Sequence, residues 1–313
     1  MILAAEDLRT ELKKRRFSHK KGRKSDVESH FAGQLRARAK HFRGQLTKNN
    51  LGEYTMKRWL ILVYGVLSYL MFFGVFLYSI LFVGNIWIPN TLDSEPRVGL
   101  VTAIAVNLGL LAFFAVQHSG MARPGFKKWL TKFVPEAAER STYVLMSNIA
   151  MILVFVFWQP MGGVAWSFEH PFVVGCVYGV YFLGWGLLFV STCAICHFDL
   201  FGLRQIWLNF RGQQYVPYEF KIPTLYNVVR HPIYVGWLMI FWAAPVMTFS
   251  HLLFAVGTTA YILIAIQLEE RDLVKHFGQK YVDYRDNVPM LIPGTGGKRS
   301  GSGIFNQQIQ TKA

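Results

Sequence analysis

Charge is scarce in this sequence. Of its 313 residues only 16% are charged, whereas 52% are hydrophobic and the mean hydropathy is +0.27. Soluble domains carry roughly a quarter charged residues, so an ordinary water-soluble globule is excluded. A disordered chain is excluded too, because it would lack this apolar mass. Acidic residues are the scarcest charged class, 18 against 33 Lys and Arg, leaving a formal net charge of +15. Cysteine is nearly missing: three residues in a chain this long cannot build a disulfide scaffold. The first 55 residues also lack the short apolar stretch that follows the positive charges of a secretory signal. What remains is an integral membrane protein with a basic exposed portion.

The charge is unevenly placed. Residues 1–55 hold 14 Lys and Arg against 6 Asp and Glu, and clusters such as Lys13-Lys14-Arg15-Arg16 and Lys20-Lys21-Gly22-Arg23-Lys24 interrupt every apolar stretch. Met56-Lys57-Arg58-Trp59 then opens an abrupt apolar run, and residues 1–55 read as a basic, flexible extension ahead of a membrane domain at 56–293, with a polar tail at 294–313. The runs fall at roughly 59–83, 98–118, 142–160, 172–192, 233–249 and 251–268. The first four suit a hydrocarbon core of roughly 30 Å. The last two are short and separated only by Phe249-Ser250-His251. They are expected to form a tight transmembrane hairpin with Pro232 at a first helical position; one long bent helix is the alternative.

Loop charges support six crossings. Segments 119–141, 193–231 and the tail after 268 are rich in Lys and Arg, whereas 85–97 and 161–171 are not. By the positive-inside rule both termini are then cytoplasmic, and five crossings would place Arg271, Lys275, Lys280 and Arg285 on the wrong side. The expected fold is therefore an all-α, polytopic membrane helical bundle of about six transmembrane helices, with a cofactor site at its cytoplasmic face. A bacterial inner membrane is the expected location.

Two polar cytoplasmic segments adjoin the final pair of runs. Arg230-His231-Pro232-Ile233-Tyr234-Val235-Gly236 enters the fifth run, and Glu269-Glu270-Arg271-Asp272 leaves the sixth, followed by Phe277-Gly278-Gln279-Lys280-Tyr281-Val282-Asp283-Tyr284 and Val288-Pro289. A hairpin would set the His231 and Glu270 ends side by side. The plainer reading makes these charges solvated helix ends and the tyrosines interface anchors. Gln117 and His118 end the second run; polar groups at membrane depth usually face the bundle interior, and a hydrogen-bonded helix end is the alternative. Gly175, Gly179, Gly184 and Gly186 suggest close helix packing.

The ordered set RHPIYVG, EERDLVKHFGQKYVDY and VP resembles the isoprenylcysteine carboxyl methyltransferase superfamily over roughly residues 218–293. Upstream, QHS at 117–119, MARPGFKKW, ERSTYVL and HFDLFGLRQ at 197–205 resemble a narrower branch, the bacterial methanethiol S-methyltransferases, across 56–293. NnrU-type membrane proteins are a looser match. The resemblance implies S-adenosylmethionine as cofactor, with Tyr226, Arg230, His231, Pro232, Ile233, Tyr234, Glu269 and Glu270 around it, and further contacts at Tyr218 to Lys221, where the match is poor. A glutamate suits the donor's cationic or hydroxyl groups, and a cation its carboxylate. Where carboxyl methyltransferases place a substrate-binding arginine, this chain has Ile266. That departure favours a small uncharged thiol over a prenylcysteine carboxylate.

The implied reaction is methylation of methanethiol to dimethyl sulfide, an in-line displacement in which positioning contributes most. Its nucleophile is a thiolate, and His231 and His118 are the candidate proton acceptors. The other readings are a methyltransferase for another thiol or a prenylcysteine carboxylate, and a non-enzymatic NnrU-like membrane protein. The partners expected are a volatile thiol and the lipid bilayer. Nucleic acid is not expected, since the basic segment carries no recognisable module, and the sequence is silent on oligomeric state. Cys193-Ala194-Ile195-Cys196-His197 satisfies the CxxCH haem-attachment pattern, but it lies on the face opposite to haem attachment and has no second ligand pair for zinc, so no metal is expected.

Overall fold

A computed structural model describes residues 48–217 and 222–295. The greater part of the basic extension, the contacts expected of Tyr218 to Lys221 and most of the polar tail lie outside the described residues.

Among the described residues five helices are long and apolar enough to cross a membrane. They are α1 (Lys48–Gly84), α2 (Leu100–Ala122), α4 (Glu139–Phe157, entered through a turn of 3-10 helix at Glu136–Ala138), α5 (Pro171–Ile195) and α9 (Phe249–Phe277). Shorter helices lie between and after them: α3 (Pro124–Leu130), α6 (His197–Leu200), α7 (Leu203–Phe210), α8 (Pro232–Trp242) and α10 (Gln279–Asn287). Proline stands in the first turn of α3, α5 and α8, where its missing N–H costs nothing and its fixed φ suits a helix start.

The last two apolar runs are two helices rather than one, but unequal ones. At 1.5 Å per residue the 11-residue α8 rises only about 16 Å, roughly half the hydrocarbon thickness. It stops at Trp242 because Ala244 precedes Pro245, and a residue before proline is driven out of the helical region. The chain then continues as strand β2 (Val246–Thr248), which pairs antiparallel with β1 (Val164–Ser167). Phe249-Ser250-His251, expected as the turn, is instead the first turn of α9, capped by the Thr248 hydroxyl, which accepts from the His251 N–H at 3.0 Å. The 29 residues of α9 rise about 44 Å. That length exceeds a bilayer core and carries Glu269 and Glu270 to one end of the bundle.

The opposite end is fastened by a buried polar cluster. Asp93, in the connection after α1, accepts from Thr248 Oγ1 at 2.5 Å and faces His251 Nδ1 at 3.1 Å, while His251 Nε2 donates to the Phe241 carbonyl at 3.1 Å. Between the two ends lies an apolar core that includes Phe82, Phe155, Trp185, Ile240, Phe254 and Ile266.

Of the four glycines expected to allow close packing, Gly184 does so. A Cβ there would stand 2.9 Å from the Gly236 carbonyl oxygen, and one on Gly236 would stand 2.9 Å from the Gly184 carbonyl oxygen. The two glycines form the crossing of α5 and α8 and bring backbone against backbone. Gly175, Gly179 and Gly186 face open space instead.

Candidate active site

The site forms where the start of α8, the end of α9 and the segment after α10 converge. Backbone pairing sets its frame: the Arg230 N–H donates to the Pro289 carbonyl at 2.8 Å, and the His231 N–H to the Met290 carbonyl at 3.2 Å. Pro289 of the VP pair and the Met290 that follows it are thus the strand-like partners of the RH pair. A small apolar cluster of Tyr281, Tyr284 and Val288, with Leu273 and Phe277 packed on it, holds α10 against α9.

Arg230 ties the pieces together. Its Nε donates to Glu270 Oε1 at 2.8 Å, and one terminal nitrogen donates to the Arg285 and Val288 carbonyls at 2.7 and 2.6 Å. Those carbonyls close the C-terminal end of α10, where a cation is favoured by the helix dipole. His231 Nε2 lies 3.0 Å from the same Glu270 oxygen. A carboxylate only accepts, so this nitrogen carries the proton. Glu270 therefore serves two donors with one oxygen, and it is 8% exposed beside a His231 that is 5% exposed. A buried carboxylate in such company is held in place by its partners.

Glu269 stands differently. Its side chain is 46% exposed, it accepts from the Tyr234 hydroxyl at 3.0 Å, and it lies 3.9 Å from His231 Nδ1. Tyr234 is on α8 one turn past His231, so the RHPIY spacing aims both side chains at the acidic pair. Pro232 is buried in the first turn of α8 and Ile233 is partly buried there.

Tyr226 precedes this cluster in a 3-10 turn (Thr224–Asn227). Its carbonyl accepts from the Tyr284 hydroxyl at 2.6 Å, while its own hydroxyl is buried with no hydrogen-bond partner among the described residues. Burial pushes the Tyr226 phenol well above its ordinary pKa, and the Glu269 charge adds to the shift. The Tyr281 and Tyr284 phenols move the same way, again chiefly through burial. All three stay protonated across the working pH range.

The structure thus brings Tyr226, Arg230, His231, Pro232, Ile233, Tyr234, Glu269 and Glu270 to one end of the bundle. His118 has no hydrogen bond to any of them. Its Nε2 is 2.8 Å from the Tyr143 hydroxyl, its Nδ1 is 3.0 Å from Ser147 Oγ, and its ring stacks on Phe114 at 5.2 Å. Tyr143 and Tyr261, the latter 3.1 Å from Ser119 Oγ, were not singled out by the sequence. Both nitrogens of His197 in the CxxCH stretch are engaged by Tyr69 and Thr192, at 2.9 and 3.0 Å.

Residues 186–280 match the phospholipid methyltransferase family. A methanethiol S-methyltransferase from Crocosphaera subtropica is 49% identical over 253 residues, 80% of this chain and 98% of that protein. One from Mycobacterium tuberculosis is 48% identical, covering 76% of this chain and 98% of the relative. Methanethiol S-methyltransferase 2 of Bradyrhizobium diazoefficiens is 49% identical, covering 74% and 90%. No solved structure matches the chain. Near-complete coverage of these relatives at almost half identity shows that the chain is a membrane methyltransferase belonging to the methanethiol S-methyltransferase family.

Proposed function

We propose that this protein transfers the methyl group of S-adenosylmethionine to methanethiol, giving dimethyl sulfide, at the cytoplasmic face of a bacterial inner membrane with both termini in the cytoplasm. The observation that carries the reading is the buried Arg230–Glu270–His231 network beside the unpartnered hydroxyl of Tyr226. A buried donor without a partner is costly, and a ligand rich in hydroxyl and carboxylate acceptors satisfies it. The residues present fit such a cofactor. Tyr226, His231, Pro232, Ile233 and Tyr234 would line it, with Glu270 from α9; Arg230, already bonded to Glu270 and two carbonyls, fixes Glu270 in place. The bound cofactor supplies an activated methyl group.

The chain's own contribution is to orient the acceptor and exclude water. Ile266, one turn before Glu270 on α9, is fully buried in the apolar core, so a substrate carboxylate would find no cation at that position. A volatile apolar thiol partitions into lipid, which suits a site at a membrane face. The test is expression of the full chain in a host that makes no dimethyl sulfide, with headspace measurement after feeding methanethiol. Product is expected, and His231→Ala and Glu270→Ala should abolish it. Verified membrane protein without product overturns the proposal.

A further inference from the structure

A thiol must lose its proton to become the nucleophile, and the groups near the site differ in their ability to take it. Glu270 is engaged by Arg230 and His231 on one oxygen. His231 donates through Nε2, and its Nδ1 points toward Glu269 at 3.9 Å. His118 is enclosed by the hydroxyls of Tyr143 and Ser147, and no carboxylate in the described residues forms an ion pair with it, so a charge arriving there would lack a counter-ion. Glu269 accepts one phenolic hydrogen bond and opens to solvent on its other side. The Tyr143, Tyr226, Tyr261 and Tyr281 phenols lie within electrostatic reach of its carboxylate, from α4, the 3-10 turn, α9 and α10. It is the carboxylate of this site placed to receive a proton and release it to water.

Resting on the proposed thiol methylation, we infer that Tyr234 and Glu269 form the proton exit of the reaction: the thiol proton passes to Tyr234 Oη while the Tyr234 proton passes to Glu269 Oε2. The step balances. The thiol sulfur forms the new bond to the methyl carbon, the donor's sulfur keeps the electron pair of the bond that breaks, and the proton released ends on the carboxylate. Tyr234 touches the reacting thiol and is a catalytic residue in this scheme, and Glu269 is the terminal acceptor. Tyr234 has the geometry for it: its hydroxyl hydrogen is committed to Glu269 at 3.0 Å, which leaves oxygen lone pairs to accept. The sequence motifs alone assign both residues to cofactor contact.

The two roles separate by pH. With a built-in acceptor the enzyme uses neutral thiol, so kcat/KM for methanethiol is flat between about pH 7 and 9. Without it, Glu269→Gln depends on thiolate already present in solution, which rises about tenfold per pH unit below the thiol's pKa. We expect Glu269→Gln in the full-length protein to lose roughly 10²-fold or more at pH 7, within the usual range of general-base contributions. Its kcat/KM should then climb about tenfold per pH unit toward wild type, and Tyr234→Phe should follow the same course. Both variants keep the Tyr234 ring that lines the cofactor and alter only the hydroxyl–carboxylate pair, so calorimetric affinity for S-adenosylhomocysteine in detergent should change less than threefold. A pH-independent loss, or one tracking weakened S-adenosylhomocysteine binding, makes the Tyr234 hydroxyl and Glu269 a cofactor contact alone, with no part in proton release, and overturns the inference. A wild-type profile that itself rises tenfold per unit overturns it too, as does a flat Glu269→Gln profile at the wild-type rate, which would move the acceptor to His231. In each of these outcomes wild type still methylates methanethiol, so they leave the proposed function standing.

Discussion

Replacing Glu270 tests the physical basis of the site most directly. Its Oε1 accepts from Arg230 Nε at 2.8 Å and from His231 Nε2 at 3.0 Å, and the Arg230 and Glu270 side chains are both 11% exposed. Glu270→Gln keeps the shape and one carbonyl acceptor but removes the charge. Hydrogen bonds to charged groups contribute roughly 1.5–3 kcal/mol and neutral ones about 0.5–1.5 kcal/mol. Weakening both bonds should therefore cost on the order of 2 kcal/mol. Glu270→Ala removes the acceptor altogether and leaves a guanidinium in a buried setting, a change that costs roughly 3–5 kcal/mol. Arg230 keeps its bonds to the Arg285 and Val288 carbonyls in both variants, which places the expected loss for Ala toward the lower end of that range.

The assay is unfolding of detergent-purified protein followed by tryptophan fluorescence, with Arg230→Met, Glu270→Met and the double variant completing a cycle. The double variant has no stranded charge, so it should be more stable than the sum of the single losses implies, by about 1–3 kcal/mol, the range seen for directly contacting groups. Additivity within about 0.5 kcal/mol, the behaviour of independent sites, would refute the claim that Arg230 and Glu270 stabilise one another. Stability of Glu270→Ala equal to wild type would refute the claim that burial makes the pair costly to break.

Gly236→Ala forces a methyl group to within 2.9 Å of the Gly184 carbonyl oxygen and 3.1 Å of the Leu188 nitrogen, both backbone atoms that no rotamer change can move. Overpacking of about 1–3 kcal/mol should outweigh the roughly 1 kcal/mol gained in helix propensity, so thermal stability falls, whereas Gly74→Ala, with nothing within 4 Å, leaves it unchanged or raised. Burial holds the His197 imidazole below its ordinary pKa of 6.5. The unfolded chain therefore binds this proton first on acidification, so stability is full above about pH 6.5 and falls below it; His197→Gln should flatten that part of the stability–pH curve. At the far end of the bundle, Asp93→Ala strands His251 in a buried setting and should lower stability by about 3–5 kcal/mol, while the affinity for S-adenosylhomocysteine measured by calorimetry stays unchanged.

The sequence made the membrane class, the helical fold and the site's end of the bundle legible, because each rests on local composition. Apolar runs, loop charges and Pro232 are properties of short windows. What eluded such windows depends on a contact across the chain or on a single backbone preference. The Ala244-Pro245 step shortens α8 to half a membrane crossing, and the run of apolar residues from 233 to 249 hides it, since hydropathy does not register where a helix must stop. The role of Val288-Pro289-Met290 was equally hidden, because it lies in carbonyls, which every residue has; only folding the tail back on Arg230 and His231 reveals them as acceptors.

The acidic pair shows the same divide on a finer scale. Glu269 and Glu270 are adjacent in sequence and chemically identical, and a motif treats them as one feature. On α9, however, neighbours point about 100° apart. That angle turns one carboxylate into the Arg230–His231 network, 11% exposed, and leaves the other 46% exposed against Tyr234. Their chemistry diverges accordingly. A carboxylate fixed by two donors in a buried setting stays charged and holds geometry, whereas the one bonded to a single phenol and open on its other side is the terminal acceptor of the proposed proton exit. In the proposed scheme consecutive residues on a helix that extends past the apolar layer divide the two functions between them.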